Sequence, residues 1–265
     1  MKKKLIRRVT CVLVLGVLYF TSTPCAEDNW LQNLSLNARM DYVSKYMWRG
    51  FDVLHGTPAV QPSLTLYPGR TGYYLGIWSS IALQEKWRDW DELDFSVGYY
   101  DSLWEKDGYA LDMDICYTYF YFPRLARDQD THEIALTLKL PNVIPPLGPT
   151  HWVPYSAFYY GRSVRGAPQA GLWIKLGTSV ELPVPAVLPW QEKQNLTIYA
   201  ETFYNDGGQA AHVHPGWSHL ATGINTTFKW QGLNFTPGIH YQWSWEETVN
   251  EKNEFWYTLS VAYKF

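Results

Sequence analysis

The sequence predicts an all-β protein, a transmembrane antiparallel β-barrel, on three observations. First, residues 255–265 read FWYTLSVAYKF, in which every second residue is apolar or aromatic and the last is Phe265. A period of two is the period of a β-strand, whose side chains alternate between two faces. Second, roughly twelve segments of this kind follow one another along the chain, as in membrane barrels. Third, aromatic residues make up 17% of the chain, which fits girdles at the two edges of such a barrel.

The N-terminus predicts export. A basic start precedes an apolar run at residues 9–20, which is too short to cross a bilayer as a helix. Small residues follow up to Ala26, so we expect residues 1–26 to be a signal peptide and residues 27–265 to be the barrel. The later sequence has no apolar run of about 18 residues that would predict a transmembrane helix. A closed barrel is then the remaining structure that can span a membrane.

Composition narrows the classes of function. The formal net charge of −3 and the pI near 6.2 argue against nucleic acid as a partner. Cys116 is the single cysteine after the predicted signal, so the sequence predicts no disulfide framework. No motif indicates a cofactor.

The first predicted strand covers residues 34–48. Its apolar positions alternate along one face and are Leu34, Leu36, Ala38, Met40, Tyr42, Tyr46 and Trp48. The opposite positions carry the charged residues Arg39, Asp41, Lys45 and, just beyond the strand, Arg49. A strand with one apolar and one charged face fits a wall between lipid and water.

The other predicted strands follow at similar spacing. They cover residues 59–67, 73–83, 93–103, 109–122, 132–140, 153–160, 172–182, 196–204, 220–229, 233–245 and 255–265. The segments at 153–160 and 196–204 alternate least regularly, so ten strands is the alternative to twelve. A proline removes a ladder hydrogen bond. We therefore expect Pro62 and Pro154 near strand ends and a bulge at Pro237.

The connections alternate between turns and polar loops. With both termini in the periplasm, the outer loops are residues 50–57, 84–92, 123–131, 162–169, 205–217 and 246–253. None of them is long enough to predict a folded plug.

A rival architecture is a soluble β-sandwich or an eight-stranded ligand-binding barrel, because those folds alternate with the same period. The terminal Phe265, the even number of strands and the aromatic excess favour the membrane barrel.

The charged faces of the strands predict the lining of a pore. The candidate pore-lining residues are Arg39, Asp41, Lys45, Arg49, Asp94, Asp112, Asp114, Glu133, Lys175, Glu201 and His240. Cations and anions on these faces are nearly balanced. Two interpretations remain open: a water-filled pore whose transverse field filters solutes, or a closed interior held by ion pairs.

The aromatic residues divide between the two predicted faces. Those predicted in the outer girdles are Trp48, Tyr73, Tyr117, Tyr119, Tyr121, Tyr155, Tyr159, Tyr241 and Trp243. Those predicted to face inward are Tyr74, Trp78, Tyr100, Phe120, Phe158, Tyr160, Trp173, Tyr199 and Phe203. The inward set either narrows the lumen or receives apolar or sugar rings.

We predict no catalytic residues and no metal site. None of the histidines lies in a nucleophile motif, and the proximity of His240 and Ser260 on adjacent predicted strands is a weak indication of a hydrolase. His212 and His214 could point the same way, but no further ligand follows at a recognisable spacing.

Residues 42–78 contain three short motifs. These are Trp48-Arg49-Gly50, then Pro58-Ala59-Val60-Gln61-Pro62, then GYYLGIW at residues 72–78. They resemble the opening of the TorF-type family of Gram-negative outer-membrane porins. The resemblance implies a barrel in the outer membrane and a pore, but no particular solute. The proline-rich residues 141–154 have no counterpart in it.

We therefore expect a barrel in the cell outer membrane that passes small hydrophilic solutes passively. The alternative is a closed barrel that modifies lipid or binds through its loops. The expected partners are outer-membrane lipid, small solutes and the barrel-assembly machinery, which would recognise the C-terminal strand.

Overall fold

Twelve antiparallel strands form the wall of a closed barrel, as the alternating pattern predicts. The computed structural model describes residues 33–105, 109–144, 150–164, 170–208, 214–245 and 249–265. The wall strands are β1 (Leu34–Val43), β4 (Ala59–Pro68), β5 (Tyr73–Ala82), β6 (Glu92–Leu103), β7 (Leu111–Tyr121), β8 (Thr131–Lys139), β9 (His151–Ser163), β10 (Gly171–Val184), β11 (Gln194–Asn205), β12 (Gly216–Thr226), β14 (Leu233–Ser244) and β15 (Glu254–Lys264). The predicted signal peptide, residues 1–26, lies outside the described residues.

Each wall strand pairs with its neighbour in the chain, and the last closes on the first. β15 pairs with β1, for example Ser260 with Asp41. The ring therefore has no free edge, and every wall strand has two partners. The barrel has twelve strands and not ten, because both irregular segments, 153–160 and 196–204, belong to full strands.

Pro237 does not form the predicted bulge. Gly238 pairs with Asn225 on β12, and Phe235 pairs with Phe228 on the short strand β13 (Phe228–Trp230), in one unbroken register. Because proline has no N–H to donate, the ladder is interrupted opposite it, and β12 and β13 are separate strands. A hydrogen bond between the hydroxyls of Thr227 and Thr236, at 2.9 Å, bridges the gap.

The outer face of the wall is apolar. Aliphatic side chains lie exposed along its middle, among them Leu75, Val97, Ile115, Leu176 and Ile239. Exposed aromatic side chains lie towards both ends, among them Tyr73, Trp104, Trp190, Trp230, Trp217, Trp243 and Phe255. This arrangement is the one expected of a band in contact with lipid between two aromatic girdles.

On β9 the predicted faces are reversed. Tyr155 and Tyr159, predicted in the girdle, point into the barrel, where they contact Glu201 and Arg49. Phe158 and Tyr160, predicted inside, are 37% and 54% exposed on the outer face. Over residues 152–160 both faces of β9 are apolar, aromatic or small, so this part of the strand lacks the charged residues that identify the inner face elsewhere.

The chain leaves the wall earlier than predicted after the first strand. β1 ends at Val43, and residues 44–57 turn into the barrel, where β2 (Met47–Trp48) and β3 (Phe51–Asp52) pair as a small hairpin. We call residues 44–57 the inner hairpin. It contradicts the prediction that no loop forms a plug. A short segment is enough to fill part of the lumen when it folds directly into the barrel instead of first crossing its rim.

The two ends of the barrel are distinguished by what they carry. We call the end at which β1 begins and β15 ends the terminal end, and the end with the inner hairpin the loop end. A 3-10 helix, Glu85–Trp90, lies between β5 and β6 at the loop end. In the described part of the chain, no helix is both long and apolar enough to cross a membrane.

Candidate functional site in the barrel lumen

The predicted pore-lining residues all lie on the inner side of the wall or in the inner hairpin. Arg39 and Asp41 lie on β1, Asp94 on β6, Asp112 and Asp114 on β7, Glu133 on β8, Lys175 on β10, Glu201 on β11, His240 on β14, and Lys45 and Arg49 in the hairpin. Their alternate neighbours form the exposed apolar face. The structure brings them into two groups, one around the hairpin and one in the terminal half.

The inner hairpin turns at Arg49 and Gly50. Trp48 pairs with Phe51, and the two residues between them have φ angles of +48° and +95°. A two-residue hairpin with both central φ angles positive is the type I′ turn, which matches the twist of the paired strands. Glycine adopts such angles readily, whereas arginine does not, so contacts around Arg49 must hold its backbone there.

Arg49 is anchored on the far side of the lumen from β1. Its Nη2 donates to Glu133 Oε1 on β8 at 2.6 Å, and its guanidinium lies 4.0 Å from the ring centre of Tyr159 on β9. The two charged side chains are 8% and 5% exposed. A buried, hydrogen-bonded ion pair is costly to break from one side, because a charge is then left alone in a dry place.

The hairpin also packs against β10, β12 and β14. Trp173, which is fully buried, makes edge contacts with Trp48 and Phe51 at ring distances of 6.1 and 6.0 Å. Gln242 Nε2 donates to the carbonyl of Gly50 at 2.9 Å. A Cβ on Gly50 would lie 2.5 Å from His219 Nδ1, so only glycine fits at this position.

On the near side, the base of the hairpin forms an apolar cluster with the wall. Tyr46 and Leu54 are buried together with Val43, Ala59 and Ala82. The Tyr46 hydroxyl donates to Glu92 Oε2 at 2.9 Å. Burial raises the pKa of the Tyr46 phenol, so the group stays protonated and remains a donor to this carboxylate. With Lys45 paired to Glu254 on β15, the hairpin contacts strands on every side of the loop-end lumen.

The terminal half of the lumen is open and polar. One cavity of 780 Å³ lies at the terminal mouth, and a second of 570 Å³ adjoins it through the shared lining residues Tyr100 and Asp114. Other polar residues in the lining are Arg70, Asp101, Glu105, Asp112, Lys139, His151, Lys175 and Glu181. Water and small solutes therefore have room in the terminal half of the lumen.

Tyrosines lie flat on this half of the inner wall instead of narrowing it. Tyr155 on β9 lies over Gly177, its direct partner on β10, and its hydroxyl reaches Glu201 on β11 at 2.9 Å. The same arrangement recurs twice. Tyr74 lies over Gly98 and reaches Asp114, and Tyr199 lies over Gly223 and reaches His240. Because the middle strand supplies a glycine, each ring rests on backbone and leaves the lumen free.

Negative charge exceeds positive charge on the inner wall. The carboxylates with a cation within ion-pair distance are Asp41, Glu133, Glu201 and Glu254. Among the residues the structure describes, no ion pair joins the inner carboxylates Glu92, Asp94, Asp112, Asp114 or Glu181. Of the inner lysines of the wall, Lys139 and Lys264 are likewise without one. Lys139 lies opposite Asp112 in the register and offsets part of this charge.

Sequence reasoning missed Glu92 and Glu254, because it began their strands one residue late. Extending the alternation by one position would have placed both on the inner face. It also missed Tyr46 as a lumen residue and placed Trp48 in the outer girdle, because the period of two continues past Val43. The bend at Ser44 and Lys45, which redirects the chain, has no clear sequence signal.

The weak indications of a hydrolase and of a metal site gain no support. His240 is hydrogen-bonded to Tyr199 at 2.9 Å and to Thr258 at 3.0 Å, while Ser260 pairs with Thr236. No group of three or more His, Cys, Asp or Glu residues among the described residues could hold a metal. His212 lies outside the described residues.

The chain resembles solved outer-membrane barrels in fold. The NanC porin aligns with 87% of this chain and 100% of its own, at 12% identity and a TM-score of 0.50. The KdgM porin aligns over 87% and 99% at 11% identity and a TM-score of 0.47. The β domain of the Bordetella autotransporter BrkA aligns over 88% and 98% at 11% identity and a TM-score of 0.45. Identities this low show the fold alone.

Sequence comparison gives the family. The chain matches no curated protein. The TorF-type name suggested by the Trp48-Arg49-Gly50 motif therefore stays a prediction, although porins are among the structural neighbours. Residues 32–237 match the family described as bacterial proteins of unknown function, Gcw_chp, and the chain belongs to that family.

Proposed function

We propose that this protein is an outer-membrane channel for small hydrophilic solutes. The observation that carries the proposal is the pair of adjoining cavities in the terminal half, lined by carboxylates, lysines and hydroxyls inside an apolar wall. Tyrosines held flat against the wall keep this half wide. A barrel that served only as a membrane anchor would have no need for so polar and so roomy an interior.

The charge of the lining favours cations over anions. Asp112, Asp114 and Glu181 face the second cavity without an ion-pair partner among the described residues, and Lys139 offsets part of their charge. Lys175 is neutralised by Glu201 at 3.5 Å. Rings of carboxylates attract cations and repel anions within a narrow pore. We therefore expect inorganic cations and small cationic or neutral solutes to pass most readily.

Planar-bilayer recording of the purified, folded protein tests the channel. A tenfold KCl gradient should give discrete current steps with a reversal potential of the sign for K⁺ over Cl⁻. Because the inner hairpin crosses the lumen, a variant with residues 45–56 replaced by a short Gly-Ser linker is recorded beside the natural chain. If neither protein conducts although both show heat-modifiable migration, the channel proposal is wrong and the barrel remains.

Location and assembly follow from the same proposal. The apolar band and its girdles fit outer-membrane lipid, and β15 with Phe265 is the segment we expect the barrel-assembly machinery to bind. Export through cleavage after Ala26 belongs to this expectation. Fractionation of cells that produce the full chain should place it in the outer membrane, with an N-terminus at residue 27.

The alternative is a closed barrel that acts on lipid or through its loops. The packed hairpin favours it, because Arg49, Trp173 and Gln242 leave little free space at the loop end. If the barrel is closed, neither the natural chain nor the chain with the shortened hairpin should conduct ions in planar bilayers. A phospholipid-hydrolysing activity abolished by His240→Ala would favour the lipid-modifying version.

A further inference from the structure

We propose that the inner hairpin is the gate of this channel, and that the ion pair between Arg49 and Glu133 is the latch that holds it closed. The inference rests on the proposed channel function. It assigns a role to the Trp48-Arg49-Gly50 motif, which forms the turn of the hairpin.

The hairpin has the reach that a gate requires. In the order of strands around the ring, β9 lies directly across from β1. The hairpin leaves the wall at Val43 on β1, and its tip contacts Tyr159 on β9, Glu133 on β8 and Trp173 on β10. It therefore spans the whole width of the lumen.

The hairpin can leave without opening the wall. At its base, Ser44 N donates to the Tyr257 carbonyl on β15 at 3.0 Å, which attaches the hairpin to the wall. Beyond Ser44, the described backbone–backbone hydrogen bonds of the hairpin are made within itself: Trp48 pairs with Phe51, and Val53 N donates to the Tyr46 carbonyl at 3.0 Å. The contacts of residues 45–57 with the wall are made through side chains, such as that of Gln242, which donates to the Gly50 carbonyl. Displacement as a unit breaks those contacts and leaves the strand ladders intact.

The closed state is held by strong contacts but is not fully satisfied. Arg49 Nη1, Glu133 Oε2, Asp94 Oδ1 and Trp173 Nε1 are buried without a hydrogen-bond partner among the described residues. Buried polar atoms without partners are unfavourable, and so is the positive φ angle of Arg49. Moving the hairpin out would hydrate these atoms and relax that angle. These gains partly offset the free energy lost when the packing and the ion pair are broken. The free-energy difference between the closed and the open state is thereby reduced, so that both states can be populated.

Because the latch is a single ion pair, the equilibrium between the closed and the open state depends on the charge of Arg49 and on the charge of Glu133. Arg49→Gln removes the cation and leaves Glu133 buried alone, and Glu133→Gln does the reverse. Each change should raise the ratio of open to closed time roughly 100-fold or more, the effect expected of removing one member of a buried ion pair. Arg124→Gln is the control, because it removes a loop-end arginine whose ion pair with Asp91, at 3.7 Å, does not involve the hairpin.

Single-channel recording measures these ratios in the natural chain, in both latch variants, in the control and in the variant with the shortened hairpin. The gate predicts that the natural chain is mostly closed, that the latch variants are mostly open and that the shortened variant stays open. Arg124→Gln should behave as the natural chain. Heat-modifiable migration shows which variants are folded.

Thiol labelling gives a second readout that does not depend on current. Ala82→Cys, in a chain with Cys116→Ser, places a thiol under the hairpin, where residue 82 is buried beside Tyr46 and Leu54. A water-soluble maleimide should react slowly with this protein and at least tenfold faster when Arg49→Gln is added.

The outcomes separate the gate from the channel. If all folded variants conduct like the natural chain and labelling is unchanged, the gate is overturned and the channel stands. If no variant conducts, including the one with the shortened hairpin, both are overturned. A faster labelling reaction together with a raised open ratio supports the gate.

Discussion

At the scale of single residues, Gly50 is constrained both by its backbone angle and by the side chains around it. It has a φ angle of +95°, and a Cβ would meet His219 and Val249 at 2.5 Å. Gly56, in the same hairpin, has a φ angle of +77° but open space, since its nearest atom is at 4.0 Å. The two glycines therefore separate backbone strain from steric exclusion.

Gly50→Ala should displace the hairpin, whereas Gly56→Ala should not. Both changes carry a left-handed strain of about 1–2 kcal/mol, and only the first adds a clash worth about 1–3 kcal/mol. Labelling of the Ala82→Cys protein should therefore be faster with Gly50→Ala than with Gly56→Ala. Equal labelling rates would mean that the hairpin tolerates a methyl group at its tip.

The proposed preference for cations can also be tested by changing single residues. Asp112→Asn combined with Asp114→Asn removes two carboxylates from the terminal half and should shift the reversal potential in a KCl gradient towards zero or beyond. Asp89→Asn, an exposed carboxylate of the 3-10 helix, is the matched control and should leave the reversal potential in place. An unchanged value in the double variant would contradict the proposed selectivity.

At the scale of elements, the three Tyr-over-Gly units set the width of the terminal half. In the unit of β9, β10 and β11, Gly177 leaves room for Tyr155 against the wall, and a Cβ there would lie 2.5 Å from its ring. Gly177→Val should push the ring into the lumen and lower the unitary conductance, and Tyr155→Ala should raise it. The unitary conductance of both variants is measured in the protein with the shortened hairpin, so that movement of the hairpin does not affect the result. Changes of the same sign in the two variants would contradict the prediction.

We expect the closing strand to direct assembly of the barrel. Phe265 N donates to the carbonyl of Leu36 at 2.8 Å, and the Phe265 ring contacts Tyr263 at 4.6 Å, so the last residue belongs to the seam between β15 and β1. Deletion of Phe265 should reduce the amount of heat-modifiable protein in the outer membrane severalfold. Phe265→Tyr keeps both the backbone bond and an aromatic ring, and should assemble normally. Equal amounts from the deletion and from Phe265→Tyr would contradict a role for the terminal residue.

At the scale of the whole molecule, the predicted strands match the observed ones within a few residues at most ends. The agreement has a simple cause: a wall between lipid and lumen imposes a polar or apolar choice at every position of every strand. β9 shows the limit of this argument. Its residues 152–160 are apolar, aromatic or small on both faces, so the strand was found but its inner face was not.

By itself the sequence determined the barrel, its number of strands within one pair, and most of the charged residues on the inner faces of its strands. These follow from local alternation, which each strand carries within its own ten or so residues. Only the tertiary structure decided which charges are paired, and that residues 44–57 fold inward to meet β8, β9 and β10. The contact between Arg49 and Glu133 joins residues far apart in the chain, and no local period records it. It forms because closing the ring brings opposite strands to face one another across a lumen that the hairpin is long enough to cross.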